Sequence, residues 1–144
     1  MSKCSDVMTE RLVCCVPGDA VSAAAKKMKD ENIGPILVVE DEQGYNLVGI
    51  VTDRDLALKV IGEERDAQTT TVGDVMSGDV VTCRADDDLE KALNAMEEHQ
   101  LRRIPVVDND GRLVGIISQA DVATRVNDPE KTAEVVKEIS QPDA

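Results

Sequence analysis

Two short motifs that pair a hydroxyl group with a carboxylate are the residues of this chain best suited to chemistry. In each motif the hydroxyl precedes the acid by three positions, as Thr52 precedes Asp55 and Ser118 precedes Asp121. At a helix N-terminus such a hydroxyl can donate to a phosphate oxygen, and an acid one turn later can accept from both hydroxyls of a ribose. The same spacing also forms a capping box, in which both groups satisfy backbone N–H groups of the helix. Spacing alone therefore leaves nucleotide binding and helix capping open.

These motifs belong to an internal repeat that covers most of the chain. At a shift of 68 residues, Val7-Met8 aligns with Val75-Met76 and Met28 aligns with Met96. A two-residue slip in a polar, glycine-containing stretch of the first repeat then reduces the shift to 66. This pattern is typical of one supersecondary unit used twice. We predict a tail at residues 1–6, repeats at residues 7–65 and 75–127, a linker at residues 66–74, and a C-terminal helix or tail at residues 128–144, with Pro129 at its start.

Each repeat predicts the order strand, helix, strand, strand, helix. A short β-branched run precedes apolar residues at helical spacing, such as Val21, Ala24 and Met28 in the first repeat. Two apolar runs joined by a turn predict a buried hairpin, and the second helix follows the junction motif directly. We expect Asp19 and Asp87 near the N-caps of the first helices. The predicted fold class is α+β: two βαββα repeats pack sheet to sheet in a pseudo-two-fold arrangement with the helices outside, because one repeat alone buries too little.

Charge and composition exclude several classes of partner and activity. Sixteen Lys and Arg against 29 Asp and Glu give a formal net charge of -13, which repels nucleic acid and anionic membranes. No apolar stretch approaches the ~20 residues of a membrane helix, and no secretory signal is recognisable, so we expect a cytoplasmic protein. The sequence has no nucleophile elbow, Walker loop or GxGxxG motif, and only His99 could act as a histidine base. We therefore expect no enzymatic activity.

The four cysteines predict reduced thiols rather than a disulfide framework. Cys4, Cys14, Cys15 and Cys83 form no CxxC pair, and the spacing of the cysteines and His99 matches no recognised metal motif. Cys15 and Cys83 occupy equivalent positions in the repeat, as expected of small core residues.

The ordered set of motifs resembles a tandem pair of CBS domains, a small-molecule sensor module also called a Bateman module. The resemblance runs from about Val7 to Val126. It rests on the two glycine-to-aspartate junctions and on three further stretches, namely Asp74-Val75-Met76-Ser77, Val81-Thr82 and Leu101-Arg102-Arg103-Ile104-Pro105-Val106-Val107-Asp108. It implies that adenosyl ligands such as AMP, ADP, ATP or S-adenosylmethionine bind in a cleft between the two repeats.

The resemblance also implies a role for each residue of the site. The hydroxyls of Thr52 and Ser118 would meet phosphate, and the carboxylates of Asp55 and Asp121 would meet ribose. Adenine would lie in an aliphatic slot lined by residues from the first and second strands of each repeat, which here are Ile36, Leu37, Ile104, Pro105, Cys14 and Thr82.

The two repeats differ at positions that matter for an anionic ligand. Where the second repeat has Thr82 and Arg102-Arg103, the first has Cys14 and Gly34-Pro35. The first repeat has therefore lost a hydroxyl and two cations, and the second-repeat site is the better candidate. Arg103 or Arg102 can neutralise a phosphate, with Arg54 as a helper. The alternative is that these arginines are solvated charges at a strand edge.

We expect this chain to be a regulatory module that senses an adenosyl ligand and requires no cofactor. The acidic surface favours AMP over more highly charged nucleotides. A homodimer is expected, with the signal passed through the shape of the dimer or through an effector protein acting in trans. One alternative is a dimerisation or docking module with degenerate ligand sites. The other is a thiol or metal sensor built from Cys14, Cys15 and Cys83.

Overall fold

The computed structural model describes residues 2–125, and the predicted C-terminal helix from Pro129 lies outside the described residues. Its strands form two separate three-stranded sheets. The predicted α+β fold class is confirmed. In chain order the elements are α1 (Cys4–Val7), β1 (Cys14–Cys15), α2 (Val21–Glu31), β2 (Ile36–Val39), β3 (Leu47–Val51), α3 (Asp53–Asp55) with a π-helical continuation (Leu56–Ile61), α4 (Val72–Val75), β4 (Cys83–Arg84), α5 (Leu89–His99), β5 (Arg103–Val107), β6 (Leu113–Ser118) and α6 (Gln119–Arg125).

The described chain divides into two compact units. The first-repeat unit comprises residues 13–80, and the second-repeat unit combines residues 2–12 with residues 81–125. Each unit therefore includes the short helical segment that precedes the other repeat in the sequence. We call residues 2–12 and residues 71–80 the leading segments. The domain boundaries drawn from the repeat alone stay a prediction.

The first-repeat unit has a sheet of order β1-β2-β3, in which β1 and β2 are parallel and β2 and β3 are antiparallel. Alternate residues of the sheet face a core that α2 covers with Val21, Ala24 and Met28. Burial of this apolar stripe, rather than intrinsic helix propensity, stabilises α2. The helix ends at Asn32, whose left-handed φ of 54° turns the chain toward β2.

The second-repeat unit repeats this arrangement with the sheet order β4-β5-β6. Its core contains Leu89, Leu93 and Met96 of α5 together with the fully buried Ile104 and Ile117 of the hairpin. Helix α5 ends at Gln100 in the left-handed region at φ 53°. Both hairpins carry an irregularity in register at equivalent places of the repeat, between Val38 and Val39 in β2 and between Val106 and Val107 in β5.

The first strand and the N-terminus of the first helix show the same local features in both repeats. The first strands of the repeats are shorter than their β-branched runs, because only two residues of each pair with the neighbouring strand. Asp19 and Asp87 lie near the N-caps of α2 and α5, as expected, one residue before the capping positions Ala20 and Asp88. Asp19 and Asp87 instead accept backbone N–H groups three residues earlier, from Val16 at 3.1 Å and Arg84 at 2.9 Å. These carboxylates stabilise the turn that leads into each helix rather than the helix terminus itself.

Candidate ligand-binding site

The second junction brings the hydroxyl of Ser118 and the carboxylate of Asp121 into direct contact. Ser118 Oγ donates to Asp121 Oδ2 at 3.0 Å and accepts the backbone N–H of Asp121 at 3.2 Å. The backbone N–H of Ser118 donates to the same Oδ2 at 3.1 Å. Both residues are partly buried. This is the reciprocal geometry of a capping box, and it holds both side chains in fixed positions where β6 ends and α6 begins.

The first junction has the same geometry with one addition. Thr52 Oγ1 lies 3.1 Å from Asp55 Oδ2, and the N–H of Thr52 donates to that oxygen at 2.9 Å. The second carboxylate oxygen of Asp55 pairs with Lys59 Nζ at 3.2 Å, and this ammonium also donates to the carbonyl of Val75 at 3.0 Å. Lys59 therefore compensates the charge of Asp55 and connects this junction to the leading segment of the same unit.

Two of the predicted arginines, Arg102 and Arg103, lie where β5 begins, next to the end of β6 that carries the second junction. Arg103 is paired directly with Ser118 across the antiparallel β5 and β6, and the carbonyl of Arg102 accepts the N–H of Gln119 at 3.1 Å. Both arginine side chains are exposed. In the β-sheet, directly opposed residues project from the same face, so Arg103 and Ser118 are neighbours on that face. Arg54, the third predicted cation, is exposed in the other unit, in α3.

The corresponding place in the first-repeat unit is negative. Gly34 occupies the position of Arg102, and a β-carbon placed on Gly34 would lie 3.2 Å from Oδ1 of Asp53. The carboxylate of Asp53 therefore lies against the backbone where the second repeat carries a cation. A carboxylate at this place repels a phosphate, whereas arginines at the matching place of the second repeat attract one. The difference between the repeats that the sequence indicated is thus also a difference in local charge.

The predicted slot residues fall into two groups. Ile36 and Ile104 are fully buried in the hydrophobic core of their own units. Leu37 and Pro105 alternate with them and project from the opposite face of each sheet, where Leu37 is paired with Cys14. Thr82 is exposed and immediately precedes β4. Leu37 and Pro105 are themselves buried, so among these three residues only Thr82 exposes its side chain.

The glycine of each junction motif has a role that sequence reasoning missed. The leading segment pairs with the last strand of its unit: Thr9 exchanges two backbone hydrogen bonds with Ile116 (2.8 and 3.0 Å), and Ser77 exchanges two with Ile50 (both 2.9 Å). A β-carbon on Gly115 would lie 2.5 Å from Sδ of Met8. Because the motif glycine has no side chain, the leading segment can pack directly against the strand that ends in the junction. The sequence did offer one indication, because the junction glycine and the Val-Met pair both recur in the internal repeat.

Gln119 is a second residue that the sequence did not single out. It lies between Ser118 and Asp121, and its Nε2 is buried with no hydrogen-bond acceptor among the residues that the structure describes. A buried donor without an acceptor is uncommon in folded proteins. No pattern in the sequence marks it, because the first repeat carries an aspartate at the same place.

The cysteines do not form the cluster that a metal sensor would need. Within residues 2–125, no group of three or more His, Cys, Asp or Glu is placed to hold a metal ion. Cys14 and Cys15 belong to the first-repeat unit and Cys83 to the second-repeat unit. Burial raises the pKa of Cys14 and of Cys15 to about 11, so both are neutral thiols near pH 7. No helix within the described residues has the length and apolar character of a membrane span.

Comparison with known proteins finds the same family in both repeats. The family model of the CBS domain matches residues 4–62 and again residues 72–128. The protein YlbB of Bacillus subtilis (strain 168) is 41% identical over 143 residues, which are 99% of this chain and 95% of YlbB.

Two solved structures share the fold. The crystal structure of hypoxic response protein I with two coordinated zinc ions has a TM-score of 0.76 at 33% identity, covering 88% of this chain and 100% of that one. The crystal structure of CBSX2 in complex with AMP, a protein of Arabidopsis thaliana, has a TM-score of 0.73 at 32% identity, covering 86% of this chain and 95% of that one. With both repeats matched by one family model and nearly the whole length shared with YlbB, this chain belongs to the CBS domain family and is a tandem pair of CBS domains.

Proposed function

We propose that this CBS-domain pair is a regulatory module that binds an adenosyl nucleotide, preferably AMP, at the Ser118–Asp121 junction of the second-repeat unit. The observation that carries the proposal is the pairing of Arg103 with Ser118 across β5 and β6, beside the carboxylate of Asp121. At this end of the sheet, the cation and the hydroxyl can bind the phosphate of a nucleotide, and the acid can accept hydrogen bonds from its ribose. The AMP complex of CBSX2 supports the ligand class.

In this proposal Ser118 and Arg103 contact the phosphate, with Arg102 beside them, and Asp121 accepts from the ribose hydroxyls. The base would lie against the core-averted face of the hairpin, on the side of Pro105. Thr82 adds a hydroxyl at the start of the neighbouring strand. The buried Nε2 of Gln119 is an unused donor next to these groups, and an acceptor on the ligand would satisfy it after a small side-chain movement.

The Thr52–Asp55 junction is proposed as the weaker site. Lys59 already pairs with Asp55, and the carboxylate of Asp53 lies against Gly34 where a phosphate would need a cation. Leu37, Ile36 and Cys14 would then stabilise the sheet of the first-repeat unit rather than bind a ligand. Arg54 is exposed and does not restore the charge balance on its own. We expect one occupied site per chain at moderate AMP concentration.

The alternative of a docking module with degenerate sites is favoured by one observation. In both junctions the hydroxyl and the acid are already engaged with each other and with the helix backbone. Such capping boxes stabilise helices in many proteins that bind nothing. The matched geometry of the two junctions makes the alternatives separable, because one junction serves as an internal control for the other.

The test compares Asp121→Ala with Asp55→Ala. Both variants lose the same capping interactions, and Asp55→Ala also loses the ion pair with Lys59, so each should lower the melting temperature by a few degrees, as loss of a cap costs about 1 kcal/mol. At an AMP concentration that fills only the stronger site, only Asp121→Ala should also lose the stabilisation that AMP gives the wild-type protein, which is a rise of several degrees. Thermal unfolding with AMP, ADP, ATP, S-adenosylmethionine and adenosine would be followed by circular dichroism, and titration calorimetry would give the dissociation constants.

The outcomes distinguish the two functions. No stabilisation of the wild-type protein by any of these compounds would support the docking module. An AMP response that survives in Asp121→Ala and disappears in Asp55→Ala would place the ligand at the first junction, contrary to this proposal. Equal affinities for AMP and adenosine would remove the role of Arg103 and Ser118 in phosphate binding.

The output of the module is also part of the proposal. We expect two copies to form a homodimer in the cytoplasm, with the ligand altering the shape presented to an effector protein acting in trans, and with no catalytic step. A ligand can shift such an equilibrium only by the difference in its affinity for the two shapes. The zinc ions in the structure of hypoxic response protein I motivate one control, which is a metal analysis of protein purified without chelator.

A further inference from the structure

The leading segment at residues 2–12 places Cys4 beside the strand that carries Cys83. The backbone N–H groups of Cys4 and Ser5 donate to the carbonyls of Asp87 (2.9 Å) and Ala85 (3.0 Å), which follow directly after β4. The N–H of Leu89 in turn donates to the carbonyl of Ser2 at 2.9 Å. These three backbone hydrogen bonds hold the segment against the loop between β4 and α5, independently of any side chain.

The two thiols lie in the same hydrophobic core and are close enough to share a hydrogen bond. Cys4 is 0% and Cys83 is 4% exposed. Their sulfur atoms also approach backbone carbonyls, those of Asp88 at 3.9 Å and Pro105 at 3.8 Å. A hydrogen bond from the Cys83 thiol lowers the pKa of Cys4, and the same hydrogen bond raises the pKa of Cys83. Cys4 is therefore the more readily ionised member of the pair, which suits it to act as the nucleophile.

The first-repeat unit provides an internal comparison. At the shift of 68 residues, Cys83 corresponds to Cys15 and Cys4 corresponds to Val72. Cys15 and Val72 are buried in one core cluster, as Cys4 and Cys83 are in the other. The position in the leading segment thus accepts valine in one unit and carries a thiol in the other. Packing alone does not require the second thiol.

We propose that Cys4 and Cys83 form an intramolecular, peroxide-responsive disulfide that locks the leading segment onto the second-repeat unit. The Cys4 thiolate attacks hydrogen peroxide: an S–O bond forms, the O–O bond breaks, and the departing hydroxide takes a proton to become water. The Cys83 sulfur then attacks the Cys4 sulfenic acid: the S–S bond forms, the S–O bond breaks, and hydroxide leaves with the Cys83 proton as a second water. The two thiols supply the two electrons that reduce the peroxide.

The cross-link would have a large effect because of the path of the chain. Between Cys4 and Cys83 the chain builds the whole first-repeat unit, residues 13–80. A disulfide here closes a long loop and removes much conformational freedom from the unfolded chain. It also fixes the segment whose Thr9 pairs with Ile116 in β6. Because both sulfurs are buried, oxidation requires transient opening of the leading segment and should be slow.

The experiment treats the full-length protein with hydrogen peroxide, blocks remaining thiols in denaturant, and maps the cysteines by proteolysis and mass spectrometry. We expect one peptide pair, joined through Cys4 and Cys83, that separates on reduction with dithiothreitol. The oxidised protein should melt roughly 10 °C higher than the reduced protein. The mapping uses the wild-type chain and so does not depend on any variant folding.

Two variants serve as controls. Cys4→Val places in the second-repeat unit the residue that the first-repeat unit already carries, so it should fold, and it should show neither the cross-link nor the rise in melting temperature. Cys15→Val removes the matched thiol of the other unit and should leave both results unchanged. Recovery of Cys4 and Cys83 in separate peptides after peroxide treatment would overturn the proposal, as would a cross-link to Cys14, to Cys15 or to a second chain.

Discussion

The close approach of each leading segment to a glycine makes a strong prediction about stability. In the second-repeat unit, a β-carbon on Gly115 would lie 2.5 Å from Sδ, 2.8 Å from Cγ and 3.0 Å from Cβ of Met8. Carbon atoms in good contact are about 3.5–4.0 Å apart, so Gly115→Ala must displace the Met8 side chain by roughly 1 Å or more. We expect a loss of about 1–3 kcal/mol of unfolding free energy, which is the usual cost of overpacking.

The upper end of that range corresponds to detachment of the segment. Thr9 follows Met8 directly and shares two backbone hydrogen bonds with Ile116. Each bond contributes about 1 kcal/mol, so losing both would account for about 2 kcal/mol. Because the two atoms closer than 3.0 Å are Sδ and Cγ of Met8, which alanine lacks, Met8→Ala should relieve most of the clash. The unfolding free energy of the double variant, Gly115→Ala with Met8→Ala, should be about 1–2 kcal/mol higher than the sum of the two single losses predicts.

The matched glycine of the first-repeat unit should behave differently. A β-carbon on Gly49 would lie 2.8 Å from the backbone oxygen of Ser77 as well as 2.8 Å from Sδ of Met76. That carbonyl accepts the N–H of Ile50 at 2.9 Å and cannot rotate away without breaking the pairing. Gly49→Ala should therefore cost about 2–4 kcal/mol, and Met76→Ala should rescue little of it.

Urea unfolding followed by far-ultraviolet circular dichroism measures these losses, since the chain has no tryptophan and one tyrosine. All variants should be compared at one protein concentration, because self-association would change the apparent stability. A Gly115→Ala variant as stable as wild type would refute the argument, as would complete rescue of Gly49→Ala by Met76→Ala.

Two further predictions concern pH and helix ends. Burial raises the pKa of Cys15 to about 11 from 9.0, so the unfolded chain ionises first and stability falls as pH rises from about 9 to about 11. The loss should be about 2–3 kcal/mol, and urea unfolding of Cys15→Val should lack that share of the loss. Gln100→Gly should raise stability by about 1 kcal/mol because its φ of 53° favours glycine, whereas Asn32→Gly should gain less, since asparagine tolerates this region. Thermal unfolding that ranks the two variants in the opposite order would contradict this reasoning.

Local patterns in the sequence determined the repeat, the α+β class and the order of the main elements. Apolar spacing in α2 and α5 and the aliphatic runs of the hairpins depend on residues a few positions apart, so they are readable without a fold. The Thr52–Asp55 and Ser118–Asp121 pairs are also local, and both form at the predicted places. Their roles in binding stay a prediction, since capping and ligand contact require the same geometry.

The tertiary structure alone decided which distant segments meet. The leading segments pair with strands far away in the sequence, Thr9 with Ile116 and Ser77 with Ile50, and so give the motif glycines their function. The same long-range packing brings Cys4 to Cys83, a residue pair that cysteine spacing did not suggest. Such contacts depend on how completed elements bury their apolar faces, and no short-range periodicity encodes the choice between equivalent partners.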